Sequence, residues 1–474
     1  MNFYQLSNRH SNLSLGRSCE AHSDISFVAE SSLLSFRDVL LQGMEHNGAL
    51  YMPTQIPKLS SNFFSALPSL SISMIAEEVM APFIGTEIPR EKLRGILQDA
   101  LNFPIPLVTL SERVSVLELF HGPTLAFKDV GARVLARLLA YFEGNSAQYN
   151  PSQNTKPITV IVATSGDTGG AVGSGFFGVP GTRVVIFFPK GKISAIQQAQ
   201  ITSFSKNIHT IEVEGTFDDC QALVKRCLTD NGLREKIPLT SANSINFGRL
   251  LPQAVYFFWA YAQFLRKQRQ IRNGGSEEVP RVCFIVPSGN LGNLTAGLIA
   301  CTMGLPVDIF LGACNINDSL PRFIESGKFN PLSSISTVSN AMDVGNPNNF
   351  SRVIALQNIL SSGSNAPLLL GNTATDEETL ETMRKVYRSH RYILDPHGAV
   401  GFFAAEKLLS DNPCISTIIL HTAHPAKFGD IVERALSHHV TLPSALAECI
   451  NLSKTPKTIA ADYNSVVEIL EQLP

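Results

Sequence analysis

One lysine lies where a reactive amine could be produced. Lys128 belongs to the segment HGPTLAFKD (121–129), which follows the strand-like run VSVLELF (114–120). A lysine at a strand-to-helix junction is partly dehydrated, and dehydration disfavours the ammonium form. The free amine can then attack an aldehyde and form a Schiff base. The competing interpretation is a surface lysine whose stem packs on Phe127 and whose amine pairs with Asp129.

Two glycine-rich turns share one plan, in which a strand is followed by Ser-Gly-x-x-Gly and then by a helix. They lie in IVATSGDTGGAVG (161–173) and IVPSGNLGNLTAG (285–297). Glycine lets the backbone approach a ligand closely, and the following helix directs free N–H groups at an anion. Each turn alone is more typical of an ordinary connection, in which Asp167 or Thr168 would be an N-cap. Together they predict a two-part anion site beyond the carboxyl ends of parallel strands.

Other polar segments could add hydroxyl, amide and cationic groups to the same crevice. NSINFGR (243–249) and PKGKIS (189–194) have the chemistry to bind a second phosphate, although the two lysines of PKGKIS would fit a solvated turn equally well. Thr422 ends the strand-like run STIILHT and could offer a hydroxyl or close the strand in an ST-turn. His397, in a glycine-containing turn, is interpreted as a structural histidine.

Composition excludes several classes of protein. The chain has 474 residues, of which 44% are hydrophobic, and a net charge of −2, so it has a sizeable core and no basic excess for binding nucleic acid. Its eight cysteines are scattered without C-x-x-C pairs or zinc spacing, which predicts free thiols in the cytoplasm and no metal site. The sequence has no apolar run of about 18 residues, so we expect no membrane helix. The N-terminus has no apolar secretory core and only a weak organelle-targeting composition.

Apolar strand-like runs alternate with helical patterns from about residue 100 onward. The runs are dense in Val, Ile and Phe with little alternation, as expected of parallel strands covered on both faces. They are ITVIVAT (158–164), TRVVIFFP (182–189), RVCFIVP (281–287), VDIFLGA (307–313) and STIILHT (416–422). The pattern predicts an α/β protein. Polar stretches at 143–157, 272–280 and 361–372 are interpreted as surface loops.

The chain resembles the threonine synthase family, in the branch found in many bacteria and in fungi. The resemblance rests on segments that occur in the family's order and span roughly residues 33–430. These are HGPTLAFKD, ATSGDTG, PKGKIS, SANSIN, PSGNLG, NAMDVGNPNN, DPHGAV and TAHPAKF. It implies the α/β architecture of fold type II pyridoxal-phosphate enzymes, similar to tryptophan synthase β, with two lobes around a cofactor cleft. It also implies an N-terminal subdomain (1–95), a larger cofactor-binding domain (96–128 and 240–474) and a smaller mobile domain (129–239).

The resemblance also assigns roles to residues. Lys128 matches the lysine that forms the Schiff base with pyridoxal phosphate, and Thr422 matches the residue bonded to the pyridine nitrogen. The loop for the cofactor phosphate matches Gly289, Asn290, Leu291, Gly292 and Asn293. The loop near the substrate carboxylate matches Ser165, Gly166, Asp167 and Thr168. Candidates for the substrate phosphate are Lys190, Lys192, Asn243, Ser244, Asn246 and Arg249. Relatives often carry Phe and Asp in place of Leu291 and Asn293, and glycine in place of His421. Residues 8–30 look like an insertion.

The activity implied by the resemblance is a lyase reaction that ends threonine biosynthesis. O-phospho-L-homoserine and water would give L-threonine and phosphate, in a cytoplasmic monomer or dimer. A related lyase that releases 2-oxobutyrate, or a serine or threonine dehydratase, is the alternative, and the product distinguishes them. A metabolite-binding scaffold is disfavoured because Lys128 is present in its full segment. A nucleotide-binding oxidoreductase is disfavoured because neither turn has a full G-x-G-x-x-G followed by a ribose-binding acid.

Overall fold

The structure is a computed structural model, and it describes residues 1–6, 33–149, 156–272, 280–363 and 366–473. The insertion predicted at 8–30 lies outside the described residues, as does most of the loop predicted at 272–280. Within the described ranges, none of the helices combines the length and the apolarity that a membrane crossing requires.

Thirteen strands occur among the described residues. They are β1 (Phe3–Leu6), β2 (Leu50–Pro53), β3 (Leu107–Thr109), β4 (Val114–Glu118), β5 (Ile158–Ala163), β6 (Thr182–Pro189), β7 (Ile208–Glu214), β8 (Leu239–Ser241), β9 (Val282–Pro287), β10 (Ile309–Cys314), β11 (Leu368–Thr373), β12 (Ser416–His421) and β13 (Lys457–Ala460).

The α-helices of the same part of the chain are α1 (Phe36–Gln42), α2 (Ser61–Ala66), α3 (Ile72–Ile84), α4 (Arg90–Ala100), α5 (Lys128–Tyr149), α6 (Asp167–Phe176), α7 (Ala195–Thr202), α8 (Phe217–Thr229), α9 (Asn231–Lys236), α10 (Phe247–Leu250), α11 (Ala254–Arg272), α12 (Gly292–Thr302), α13 (Ser319–Ser326), α14 (Phe350–Ser361), α15 (Asp376–His390), α16 (Pro396–Asp411), α17 (Gly429–Leu436), α18 (Ser444–Leu452) and α19 (Tyr463–Gln472). Short 3-10 helices include Asn340–Met342 and Pro425–Phe428.

Two mostly parallel sheets organise the molecule. The first has the strand order β11-β10-β9-β12-β4-β3, in which only β3 runs antiparallel to its neighbour. The second has the order β13-β7-β6-β5-β8 and is parallel throughout. All residues of β5, β9, β10 and β12 are buried, as the Val-, Ile- and Phe-rich runs predicted. The predicted α/β fold is therefore confirmed.

The N-terminal helices pack on other helices of the molecule. Helix α3 packs on α11 and helix α4 packs on α5, while β1 and β2 form a separate antiparallel pair. Serine and threonine N-caps begin many of the helices, and Ser35 and Thr216 form full capping boxes. These caps satisfy N–H groups that the first turn of a helix leaves without an intrahelical partner.

Three sequence expectations need correction. The stretch 361–372 was interpreted as a loop, but β11 lies in it as an edge strand of the first sheet. The loop predicted from residue 143 is helical as far as Tyr149. The larger domain was given all of 240–474, but β13 pairs with β7 and α19 packs on α8, so this C-terminal segment completes the second sheet. Strands β11 and β13 each pair with a strand that is distant in sequence.

Candidate active site

Three segments meet at the carboxyl ends of the neighbouring strands β9, β12 and β4. The turn 288–293 follows β9, Thr422 follows β12, and the segment 121–129 follows β4. Helix α12 begins at Gly292, and helix α5 begins at Lys128. The turn 165–169 comes from the second sheet, after β5, and faces the same crevice. A cavity that is open to solvent lies between these segments, as expected at the carboxyl edge of a parallel sheet.

Backbone hydrogen bonds hold the segment that carries Lys128. Leu125 adopts a left-handed conformation (φ 58°), and its N–H donates to the carbonyl of Gly122 at 3.0 Å. The N–H of Phe127 then donates to the carbonyl of Thr422 at 2.8 Å. Lys128 and Thr422 are thereby fixed relative to each other, and both line the cavity.

Asp129 does not pair with the neighbouring lysine. Its buried carboxylate accepts from the backbone N–H of Thr124 at 2.9 Å and from the Thr124 hydroxyl at 2.6 Å. A Cβ on Gly122 would lie 2.4 Å from the same carboxylate, so only glycine fits there. The interpretation of Lys128 as a surface lysine paired with Asp129 is therefore wrong.

The amine of Lys128 is electrostatically prepared for nucleophilic chemistry. Part of the side chain is open to the cavity, but protein surrounds the amine, and burial lowers its pKa to about 8. The charge of Asp167 raises this pKa, and the charges of Arg249 and Lys427 lower it. Above pH 8 most of the amine is therefore uncharged, which is the form that attacks an aldehyde.

Asp167 carries a buried negative charge across the cavity. Burial opposes its ionisation, but the charges of Lys427 and then Lys128 outweigh burial and lower its pKa to about 2. Its Oδ1 lies 2.8 Å from Lys427 Nζ and accepts from Gln197 Nε2 at 3.1 Å. The N-cap of α6 is Gly166 (φ 126°), and Asp167 is the first helical residue, so the interpretation of Asp167 as an N-cap is wrong.

The turn 288–293 approaches its neighbours closely. A Cβ on Gly289 would lie 3.0 Å from Met342 Cα, and one on Gly292 would lie 2.9 Å from Ser244 Cβ. Leu291 is left-handed (φ 58°), so the backbone curls before α12 begins. The first N–H groups of α12 have no intrahelical acceptor and lie at the positive end of the helix dipole. The turn is therefore suited to an anion.

Two buried donors in the cavity lining have no hydrogen-bond partner in the described part of the chain. They are Arg249 Nε and Asn293 Nδ2. Tyr256 donates to Asn293 Oδ1 at 2.6 Å, which leaves the amide NH₂ for another acceptor. An unpaired buried donor is costly, so each atom indicates an acceptor that a ligand would supply. A phosphate at 288–293 and a second anion near Arg249 fit these donors, and Lys128 fits the aldehyde of pyridoxal phosphate.

The structure brings together most of the predicted site residues, but not all of them. Those in the cavity lining are Lys128, Ser165, Asp167, Thr168, Asn243, Ser244, Arg249, Gly289, Asn290, Leu291, Gly292, Asn293 and Thr422. Gly166 lies behind the lining, where a Cβ would be 2.4 Å from Gln197 Cδ. Lys190 and Lys192 lie on the exposed turn after β6, and Lys190 pairs with Glu214 at 2.9 Å.

Asn246 needs a correction of role. Its side chain caps α10 by accepting from the N–H of Gly248 at 2.9 Å, and its Nδ2 donates to the carbonyl of Leu40 at 2.9 Å. It is fully buried and does not line the cavity. Asn243 lines the cavity but bonds through its side chain to both backbone groups of Ala163, so it also ties the segment 243–246 to β5.

Sequence reasoning missed several residues that build the site. Arg352 is fully buried and donates to the carbonyls of Ser244, Ile245 and Tyr51 at 2.8–3.0 Å, which fixes the cavity-lining segment 243–246. Such a cation could be suspected only from its presence in an apolar helical pattern. Lys427, in the segment TAHPAKF, is the cation that pairs with Asp167, and the sequence does not predict this role.

His397 also lines the cavity, although it was interpreted as structural only. Its Nδ1 bonds to the carboxylate of Asp395, and its Nε2 accepts from the N–H of Ala341 at 3.2 Å. Burial raises the pKa of Asp395, but His397 and His421 outweigh burial, so the net pKa is lowered. His421 Nε2 lies 3.0 Å from Asp395 Oδ1, so this histidine packs beside the site. This cluster fixes the 3-10 helix Asn340–Met342 against the cavity.

The geometry and a family model agree on the class of protein. The family described as "Pyridoxal-phosphate dependent enzyme" matches residues 102–414, which is more than half of the chain. The chain is therefore a pyridoxal-phosphate-dependent enzyme of fold type II. Two further models, "Threonine synthase N terminus" and "Threonine synthase, C-terminal", match residues 25–101 and 398–470.

Individual relatives identify the family. The chain is 39% identical to threonine synthase of Escherichia coli K12 over 439 residues, which are 92% of this chain and 96% of that protein. The crystal structure of the Escherichia coli threonine synthase matches with a TM-score of 0.85 and 37% identity over 99% of both chains. A pyridoxal-phosphate-bound threonine synthase from Brucella melitensis matches with a TM-score of 0.79 and 34% identity over 93% of this chain and 97% of that one. The chain belongs to the threonine synthase family.

Proposed function

We propose that the chain converts O-phospho-L-homoserine and water into L-threonine and phosphate. One observation carries the proposal: the amine of Lys128 shares a cavity with two buried donors, Arg249 Nε and Asn293 Nδ2, that have no hydrogen-bond partner among the described residues. A cavity that binds a single anion would need only one place where an unpaired donor awaits an acceptor. Two positions suit a cofactor phosphate and a substrate phosphate together.

The turn 288–293 would hold the cofactor. Its backbone N–H groups and Asn293 Nδ2 would bind the cofactor phosphate at the start of α12. Thr422, at the end of β12, would offer its hydroxyl to the pyridine nitrogen. Lys128 would carry the cofactor covalently. Pyridoxal phosphate supplies an electron sink for charge that develops on the substrate, and the protein supplies orientation.

The opposite wall would hold the substrate. Ser165, Asp167 and Thr168 lie at the start of α6, where backbone N–H groups can bind the substrate carboxylate. Arg249 would bind the phosphate on the substrate's Cγ, beside Ser244. Burial lowers the pKa of Arg249 to about 10, so the guanidinium remains charged at neutral pH.

Lys128 would move the protons. Once displaced by the amino group of the substrate, its Nζ would be a base beside Cα, and burial lowers its pKa to about 8. It would take the proton from Cα and pass it to the bound cofactor, and then take a proton from Cβ, so that phosphate leaves from Cγ. It would deliver a proton to Cγ before water adds at Cβ, and a proton to Cα afterwards. The two sides of the cavity would have to exclude water during elimination and admit it afterwards. For this reason we expect the smaller domain to be mobile.

We extend the proposal to domain organisation and surroundings. The N-terminal subdomain would comprise 1–95, the larger domain 96–128 and 240–443, and the smaller domain 129–239 together with 444–473, because α18 packs on α7 and β13 joins the second sheet. The free cysteines of the described residues support a cytoplasmic location. The net charge of −2 supports a small-molecule substrate without a nucleic acid partner, in a monomer or dimer.

Replacement of the lysine tests the proposal. Lys128→Ala should abolish cofactor attachment and turnover, because the substitution removes the amine that would bind the cofactor's aldehyde. Threonine, 2-oxobutyrate and phosphate are measured together from phosphohomoserine, and borohydride-reduced protein is mapped for the pyridoxyl group. The exposed Lys385, paired with Glu406 at 2.7 Å, provides the control Lys385→Ala, which should react normally. Full turnover by Lys128→Ala, or 2-oxobutyrate as the main product of the unaltered chain, would refute the proposal.

A further inference from the structure

Lys427 is a fully buried cation at the meeting point of the two sheets. It lies in the 3-10 helix Pro425–Phe428, and its ammonium lies 2.8 Å from Asp167 Oδ1. It also donates to Gln200 Oε1 at 2.9 Å and to the carbonyl of Thr124 at 3.0 Å. All three ammonium hydrogens therefore have an acceptor, which is the condition for burying such a charge.

The three acceptors come from both sides of the cavity. Asp167 begins α6 and Gln200 lies in α7, and both helices belong to the second sheet. Thr124 lies four residues before Lys128, in the segment after β4 of the first sheet. Gln200 Nε2 donates to the same Thr124 carbonyl at 3.2 Å, so the group is closed on itself. The ammonium of Lys427 therefore joins the substrate-side turn to the segment that carries Lys128.

The charges around Lys128 explain what this contact could do. Asp167 faces Lys128 and stabilises its ammonium form, whereas Lys427 and Arg249 destabilise it. Asp167 itself is held ionised by Lys427 and Lys128, with His397 adding a smaller effect in the same direction. Without Lys427, the carboxylate of Asp167 would act on Lys128 with less opposition, and the neutral amine would be scarcer at neutral pH.

We propose that Lys427 is a positioning residue that holds Asp167 at a fixed place beside Lys128 and balances its charge, so that the Lys128 amine stays available to the cofactor. The inference rests on the proposed role of Lys128. A purely structural role for Lys427 would make the fold less stable when the charge is removed, but it would leave the pH at which Lys128 reacts unchanged.

The pH dependence of cofactor attachment separates these roles without requiring turnover. The full-length chain, freed of cofactor, is mixed with pyridoxal phosphate at a series of pH values, and the initial rate of borohydride-trapped attachment at Lys128 is measured. The unaltered chain should show a rate that rises with pH through a midpoint near pH 8 and then levels off, as the amine loses its proton. In Lys427→Met the midpoint should move up by about one pH unit, because one of the charges that oppose the ammonium is gone.

Two further variants keep the test decisive. Asp167→Asn should move the midpoint down, because the charge that favours the Lys128 ammonium is removed, and it serves if Lys427→Met does not fold. Lys427→Arg keeps the charge and should restore the midpoint, and Lys385→Met removes an exposed, paired lysine charge and should leave it unshifted. An unshifted midpoint in folded Lys427→Met or in Asp167→Asn overturns the inference. Absence of pyridoxyl on Lys128 in the unaltered chain overturns the proposed function instead.

Discussion

The turns 165–169 and 288–293 have the same strand-turn-helix plan but differ in what surrounds them. The turn 288–293 is backed by the main chain of Met342 and has an uncharged side chain, Asn293, oriented by Tyr256. The turn 165–169 carries a charged side chain, Asp167, whose position depends on Lys427 from the other sheet. The shared plan gives both turns the geometry to bind an anion. Their neighbours make the turn 288–293 a fixed cradle, and they make the turn 165–169 a wall that depends on contact between the sheets.

The largest effect should follow from adding a side-chain carbon at Gly166, in the turn 165–169. Gly166 has a φ of 126°, and a Cβ there would lie 2.4 Å from the buried Gln197. Gly166→Ala should lower the free energy of unfolding by about 2–3 kcal/mol, from backbone strain and displacement of Gln197. Because Gln197 also bonds to Asp167, KM for phosphohomoserine should rise while the cofactor stays bound. Chemical denaturation and steady-state kinetics measure the two effects.

Gly178 provides the matched control for this variant. It also has a positive φ, 71°, but within the part of the chain that the structure describes no atom from elsewhere lies within 4 Å of the place where a Cβ would be. Gly178→Ala should therefore cost only about 1 kcal/mol of stability, from conformation alone, and leave KM unchanged. If Gly166→Ala and Gly178→Ala change the free energy of unfolding and KM equally, then crowding of Gln197 does not contribute to the effect of Gly166→Ala.

A smaller effect should follow from loosening the cradle at 288–293. Tyr256→Phe removes the hydroxyl that donates to Asn293 Oδ1, so the amide can rotate and Nδ2 is no longer held towards the cavity. The loss of one buried hydrogen bond of about 1 kcal/mol should weaken pyridoxal-phosphate affinity about fivefold. Fluorescence titration of cofactor-free protein measures the affinity. Tyr261→Phe, on the same helix α11 but outside the cavity lining, is the control, and equal effects would contradict the orienting role of Tyr256.

The sequence could predict those parts of the site that depend on neighbours along the chain. Strands β5, β6, β9 and β12 were predicted because a run of buried Val, Ile and Phe is a local pattern. The two turns followed from glycine spacing at their ends. The place of Lys128 between strand and helix is likewise local, since α5 begins at that residue.

The missed features depend on contacts between distant segments. The bond between Lys427 and Thr124 joins residues 303 positions apart, and no local pattern distinguishes this lysine from a surface one. The sequence does not distinguish Arg352 from other polar residues of a helix, because its three carbonyl acceptors come from other segments. Strand β11 was missed because an edge strand is only half covered, and its Leu-Gly-Asn sequence has weak strand propensity. Tertiary contacts decided each of these cases.

The smallest effect should come from a lysine that the sequence placed near the substrate phosphate. Lys190 is exposed on the turn after β6 and pairs with Glu214, whereas Arg249 is buried in the cavity with an unpaired donor. An exposed ion pair is solvated and contributes little, so Lys190→Ala should change KM for phosphohomoserine by less than about twofold. KM is measured by steady-state kinetics at low ionic strength, because salt then screens the charge of Lys190 least and any effect on KM is largest. A tenfold rise in KM would contradict this expectation. It would show that the turn after β6 reaches the substrate and that the substrate site extends further along the second sheet than the cavity lining indicates.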